Sequence, residues 1–150
     1  MVDISHANDK TASEILDSVR KPVIASHSCT AALYNHPRNM NDLLIRRVAA
    51  GGGVIGVSYF QEFLQQDNHA PAVFATIKNH IDHIINVGGE DCAALGSDFD
   101  GYPVVAGSDI ETAVDVPRFG EYLLANGYSY PRLEKLFSGN ALRVIGDTIG

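Results

Sequence analysis

K-P-V-I-A-S-H-S, residues 21–28, sets a short apolar run, Pro22–Ser26, directly against His27. A Val/Ile-rich run without polar alternation has both faces covered, which is the mark of a parallel strand. The same form recurs at Val2–Ser5, Val54–Ser58 and Cys92–Ser97. Between the runs lie segments with helical spacing. Ile15, Leu16 and Val19 form a stripe after Asp9 or Thr11 as N-cap, and Leu43, Leu44, Arg47 and Val48 precede the stop Gly51-Gly52-Gly53. Pro71 opens a third helix, in which Val73, Ile77, Ile81, Ile84 and Ile85 recur at steps of three and four before Gly88-Gly89. A loop from Asp100 to Pro117 leads to helices near Arg118–Asn126 and Pro131–Phe137 and a short tail, Ala141–Ile145. Strand alternating with helix four times predicts an α/β fold of parallel (β/α) units with right-handed crossovers. No linker divides residues 1–150, so the chain reads as one unit.

Composition narrows the function classes. Eighteen acidic groups against eleven basic give a net charge of −7, which excludes partners that need a basic patch, nucleic acid and anionic membrane surfaces. With 45% apolar and 19% charged residues the chain is a folding one. No apolar stretch approaches the ~18–20 residues of a membrane span. Met1-Val2-Asp3-Ile4-Ser5 carries no basic leader, so the expected location is cytoplasmic. Cys29 and Cys92 are too few for a disulfide framework and are expected as buried thiols.

The four strand ends carry the chemistry. They read Ser5-His6, Ser26-His27, Ser58-Tyr59 and Ser97-Asp98. Ligands and reacting groups of parallel α/β proteins collect at the C-terminal ends of strands. Two His and one carboxylate suit zinc or a similar divalent ion, while the serine repeat reads as packing. His6 and His27 stand 21 residues apart, one tight strand–helix unit, so they fall on neighbouring strands ~4.8 Å apart. In an open sheet Asp98 would lie three strands from His6, roughly 14 Å away. A closed barrel aims all of them at one centre, so the constellation favours a barrel.

Other groups carry weaker signals. Arg38, in His36-Pro37-Arg38-Asn39, could hold a carboxylate with two parallel hydrogen bonds. Asp100 reads as a hydrogen-bonding partner of the loop behind it, and His80 and His83 as structural residues of the third helix. Gly51–Gly53 precedes a strand and is no phosphate loop, and the absence of a Gly-x-Ser-x-Gly elbow weakens a covalent hydrolase.

These motifs also resemble a known family. M-V-D-I-S-H-A at 1–7, K-P-V-I-A-S-H-S at 21–28, H-P-R-N at 36–39 and G-G-V-I-G-V at 52–57 resemble the membrane (renal-type) dipeptidases. H-I-D-H-I at 80–84, G-S-D-F-D-G at 96–101 and G-N-A-L-R-V at 139–144 continue the match in the same order. That family belongs to the metal-dependent amidohydrolase superfamily, (β/α)₈ TIM barrels with two Zn2+ ions that hydrolyse dipeptides. The resemblance implies that His6 and His27 bind the second zinc, that Arg38 holds the substrate and that Asp98 handles the proton of the attacking water. It is similar to the C-terminal half only. The family's upstream His-x-Asp pair, its bridging Glu and a further active-site His have no counterpart here, and His6 is followed by Ala7-Asn8.

The resemblance thus implies a zinc-dependent dipeptidase present as a partial chain, inactive alone, with a dipeptide as substrate. An alternative is a non-catalytic half-barrel acting as a binding or assembly piece, and a third reading is an amidohydrolase for a non-peptide amide or ester. A half-barrel is expected to self-associate or to bind the N-terminal half. Val2, Ile4, Val23, Ile55, Val57 and Leu95 are the strand positions expected to lose cover.

Overall fold

The computed structural model describes residues 1–67 and 69–150. In chain order they form α1 (Asp9–Ser18), β1 (Ile24–Ala25), α2 (Asp42–Ala50), β2 (Val54–Ser58), α3 (Gln61–Leu64), α4 (Phe74–Gly88), β3 (Ala93–Ser97), α5 (Val116–Ala125), α6 (Tyr130–Glu134) and α7 (Asn140–Ile149). The three strands pair in parallel in the order β1-β2-β3. No described helix is long and apolar enough to cross a membrane.

β2 matches its expected span, and β3 loses only Cys92, which closes a 3-10 turn over Glu90–Cys92. The run at Val2–Ser5 is reduced to a single parallel bridge, Asp3 with Ile24. The Ile4 N–H donates to the Ile24 carbonyl at 2.8 Å and the Ile24 N–H to the Val2 carbonyl at 3.0 Å. The next rung would run from the Ser26 N–H to the Ile4 carbonyl, but Asp3 Oδ1 takes that N–H at 3.1 Å and the carbonyl accepts from the Ala7 N–H at 3.0 Å, so the ladder ends there.

Helix starts are set by side chains that reach backbone N–H groups. Asn8, rather than Asp9 or Thr11, caps α1 by accepting from the Thr11 N–H at 2.9 Å. Asn41 caps α2 through the Leu44 N–H at 3.0 Å. α4 begins at Phe74, three residues after Pro71, because its cap is tertiary: Asp109 accepts from the Phe74 N–H at 2.9 Å. The C-terminal helices differ most from expectation. One π-helical turn, Lys135–Gly139, joins α6 to α7, and the expected short tail is a ten-residue helix. The Asn140 amide fixes that junction by donating to the carbonyls of Glu90 and Ala93 at 2.7 and 2.8 Å.

β2 is buried along its whole length, with Ile45 and Val48 of α2 and Ile77, Ile81 and Ile84 of α4 in the same fully buried core. Ile4, Val23, Ile55 and Val57 are buried as well, which corrects the expectation that they lose cover. Val2 is exposed and Leu95 is half-buried. The cover comes from the helices, because Ile4, Val23, Ile55 and Val57 lie in one cluster with Ile45 and Val48 of α2 and Ile77, Ile81 and Ile84 of α4. On the opposite face, to which Gly56 points between Ile55 and Val57, the sheet curls. A β-carbon on Gly96 would stand 2.4 Å from the Ser26 carbonyl oxygen, just past β1, and 2.5 Å from the carbonyl group of Gly56. In a flat sheet the outer strands would be roughly 10 Å apart. Gly96 is also the extra residue of a bulge, since Val57 pairs with Leu95 and Ser58 with Ser97. Such a bulge bends its strand and re-aims the residues that follow.

Candidate functional site

The strand ends meet on one side of this curl. The Nε2 atoms of His6 and His27 stand 2.9 Å apart, their rings edge-on at 68° with centroids 5.0 Å apart. His6 is exposed and His27 half-buried. Two imidazoles on one tetrahedral zinc, each at 2.0–2.1 Å, have nitrogens about 3.3 Å apart. A spread of a few tenths of an ångström would therefore admit an ion, and two neutral nitrogen donors suit zinc chemically. Among the described residues, no third His, Cys, Asp or Glu joins them in a group that could hold a metal. The residues fit two ligands of a site and no more.

Behind His27 lies a polar arrangement in which the two serines expected as packing residues are hydrogen-bond donors. The Asp3 carboxylate accepts from the N–H groups of Ser5 and Ser26 at 3.0 and 3.1 Å and from their hydroxyls at 2.9 and 2.5 Å. Burial alone would raise its pKa, but the bonds from Ser26 and Ser5 outweigh it and hold the carboxyl below its usual range. The Ser26 hydroxyl also meets His27 Nδ1 at 2.8 Å, and the His27 N–H donates to Ser5 Oγ at 3.0 Å. The signal was available in the sequence: Asp3 stands two residues before Ser5, and both serines precede a histidine. What was missing was the pairing of the two segments.

Arg38 is carried on a loop that its neighbours fix. The Asn39 amide donates to the carbonyls of Tyr34 and Phe63 at 2.9 and 2.7 Å, and His36 Nδ1 accepts from the Arg38 N–H at 3.2 Å. The guanidinium lies 5.1 Å from the centre of the Phe63 ring, and its Nε–H donates to the Ser5 carbonyl at 3.3 Å. Arg38 thus reaches the segment that carries His6. Its Nη2 is buried with no hydrogen-bond partner among the described residues. A buried charged donor without an acceptor is costly, so the position suits an incoming anionic group.

Asp98 follows the bulge at the end of β3. Ser97 and Asp98 adopt φ of +24° and +69°, left-handed values that cost non-glycine residues of order 1–3 kcal/mol. The carboxylate folds back over Gly101, where a β-carbon would stand 2.4 Å from Asp98 Oδ1. Asp98 is half-buried and belongs to no metal-holding group among the described residues. Asp100 is exposed, also at positive φ. Nearby, the buried Tyr59 and the half-buried Tyr102 present hydroxyls with no partner among the described residues. Burial, and then the Asp98 charge, push the Tyr102 hydroxyl up to about 12.

The remaining candidates are structural. His80 is buried, its Nδ1 accepting from the Thr30 N–H at 3.1 Å and its Nε2–H donating to the Leu64 carbonyl at 2.9 Å. His83 pairs with Asp42 at 2.7 Å. Both cysteines are free and buried, and burial raises their pKa, that of Cys92 to about 12.

Comparison with known proteins places this geometry among relatives. The sequence profile described as membrane dipeptidase (peptidase family M19) matches residues 1–149. Dipeptidase tcpJ of Claviceps purpurea is 34% identical over 151 residues, covering 97% of this chain and 34% of that protein. An uncharacterized protein in the pqqA 5′ region of Klebsiella pneumoniae is 38% identical over 146 residues, covering 96% of this chain and 53% of that protein. Among solved structures, a metallopeptidase from Rhodobacter sphaeroides, liganded with a phosphinate mimic of the dipeptide L-Ala-D-Ala, superposes with a TM-score of 0.92 at 29% identity. The match covers 99% of this chain and 42% of that one. The chain therefore spans about half, or less, of the length of the relatives it matches.

Proposed function

The chain belongs to the membrane dipeptidase family, peptidase family M19, and from that premise we propose that residues 1–150 are the C-terminal half of a zinc-dependent dipeptidase barrel, acting as a single unit. The carrying observation is the approach of His6 Nε2 and His27 Nε2 to 2.9 Å at adjoining strand ends. These two nitrogens would hold one zinc. When bound, zinc supplies Lewis-acid polarisation of the peptide carbonyl and acidifies water. Arg38 receives the free carboxylate of the dipeptide on its unpaired Nη2, a contact that would favour short substrates. Asp98 takes a proton from the attacking water and delivers it to the amine nitrogen as the C–N bond breaks. The rest of the metal set comes from the N-terminal half, which is also the partner that the open sheet edges fit.

One observation favours a second reading, a non-catalytic half-barrel that binds or assembles. It is the lack of a third metal ligand among the described residues. Two measurements separate them. Zinc titration of the chain should show weak binding that His6→Ala with His27→Ala abolishes; undiminished affinity in the double variant would remove both residues from the site. A panel of dipeptides should be hydrolysed only after the chain is joined to an M19 N-terminal half. Persistent inactivity of a folded, zinc-loaded assembly favours the second reading.

A further inference from the structure

We propose that Asp3 and Ser26 are positioning residues that fix the tautomer of His27, so that its Nε2 presents a lone pair toward His6. The argument is a proton count. The Ser26 hydroxyl has one proton, and the Asp3 carboxylate, which can only accept, stands 2.5 Å from it at Oδ2. The proton goes to Asp3. The Ser5 hydroxyl proton is committed to Asp3 Oδ1 at 2.9 Å in the same way. Ser26 Oγ then has only lone pairs left for His27 Nδ1 at 2.8 Å, so Nδ1 carries the ring proton and donates it. In the neutral ring Nε2 is the bare acceptor, the form a metal requires.

The relay spans two segments that are distant in sequence. Asp3 leaves the bridge with Ile24, and its carboxylate reaches across to the backbone N–H of Ser26 at 3.1 Å. Carboxylate, hydroxyl and imidazole are thereby locked to the sheet itself, and the His27 N–H bond to Ser5 Oγ closes the loop from the other side. His6 has no such support, since its Nδ1 has no hydrogen-bond partner among the described residues. With His27 Nε2 bare, the contact between the rings is donated by His6 Nε2–H. His6 must therefore shift its proton to Nδ1 before its Nε2 can bind an ion, whereas His27 is ready. An outer carboxylate that orients a ligating histidine is commonly worth ~10–100-fold in metal affinity.

The consequence for zinc rests on the metal reading above; the tautomer does not, because it is read without metal. Two-bond ¹⁵N–¹H correlation spectra of the metal-free 150-residue chain, at a pH where the rings are neutral, report which nitrogen of His27 is protonated. The expected result is Nδ1–H in the wild type. Ser26→Ala and Asp3→Ala should move the population toward Nε2–H, the form an unconstrained neutral imidazole favours, and Ser26→Thr should restore Nδ1–H by returning a hydroxyl. Zinc titration should follow, weaker by roughly 10–100-fold in Ser26→Ala and recovered in Ser26→Thr. Nε2–H in the wild type, or Nδ1–H persisting in both alanine variants, overturns the proposal. If the alanine variants do not fold, the wild-type and Ser26→Thr spectra decide it alone. A wild type that holds Nδ1–H but binds no zinc would defeat the metal reading and leave the tautomer assignment standing.

Discussion

His80 shows how one buried side chain becomes a property of the whole fold. Both ring nitrogens are used by backbone groups, and that geometry requires the neutral, Nε2-protonated ring. Burial lowers its pKa from 6.5, the Leu64 carbonyl partly offsets the shift and His83 adds to it. Below pH 6.5 the unfolded chain binds this proton and the folded chain does not. The contribution of His80 is therefore complete above 6.5 and is lost as pH falls, by at most ~1.4 kcal/mol per pH unit. Urea unfolding of the wild type and His80→Gln between pH 7.5 and 5 should show the gap between them shrinking toward acid. A constant gap would mean that His80 charges in the folded state as freely as in water. Asp98 is the residue-scale test of the chemistry. In the assembled enzyme Asp98→Asn should keep its zinc content while kcat falls ~10²–10⁴-fold, because an amide cannot take a proton from water. Near-normal turnover would take Asp98 out of the reaction.

At the scale of the element, β3 decides whether the site can form. Its bulge and its glycine let the carbonyl just past β1 press against Gly96, and the two outer strand ends converge over β2. Gly96→Ala would place a methyl group 2.4 Å from the Ser26 carbonyl oxygen, with no flexible side chain to yield. The strands must separate, at a cost of about 1–3 kcal/mol. The same movement should loosen the His27 end of the site. Thermal unfolding should fall, and the amide shifts of Ser26 and His27 should change with it. An unaltered Tm would show that the curl has slack. The repeat of short apolar runs made the strands legible, because period and composition are local. The bulge was not legible, since it depends on which residue of β2 lies opposite Gly96. The start of α4 was hidden for a similar reason: its cap, Asp109, lies 35 residues downstream of Phe74.

For the molecule as a whole, the open edges matter most. Among the described residues β3 pairs only with β2, and the segment around Asp3 pairs only with β1. Each therefore leaves a row of backbone groups free to pair with another chain. Met1 and Val2 at one edge, and Leu142, Ile145 and Ile149 along α7, are exposed. A net charge of −7 opposes association without covering that surface. Sedimentation velocity should show a mass that rises with concentration, and an added M19 N-terminal half should compete with self-association. A sharp monomer over a hundredfold concentration range, indifferent to that half, would mean that the edges are protected.

What the sequence determined by itself was everything carried by local order. The apolar runs, the helical stripes and the Ser-plus-functional-residue endings each lie within a few residues, and they specified parallel (β/α) units with His6, His27, Arg38 and Asp98 at strand ends or on the loop beyond. The family motifs added the chemistry expected of those positions. Tertiary structure alone decided the rest. Ser26 turned from a packing residue into a donor that joins Ser5 in holding Asp3, because a carboxylate 23 residues away from it in sequence became its acceptor. The open strand face expected of Ile4, Val23, Ile55 and Val57 was closed, because these residues pack in one cluster with α2 and α4, while Gly56 and Gly96, without β-carbons, let the opposite face curl. Register and curvature come from contacts between segments, and no stretch of sequence contains both sides of such a contact.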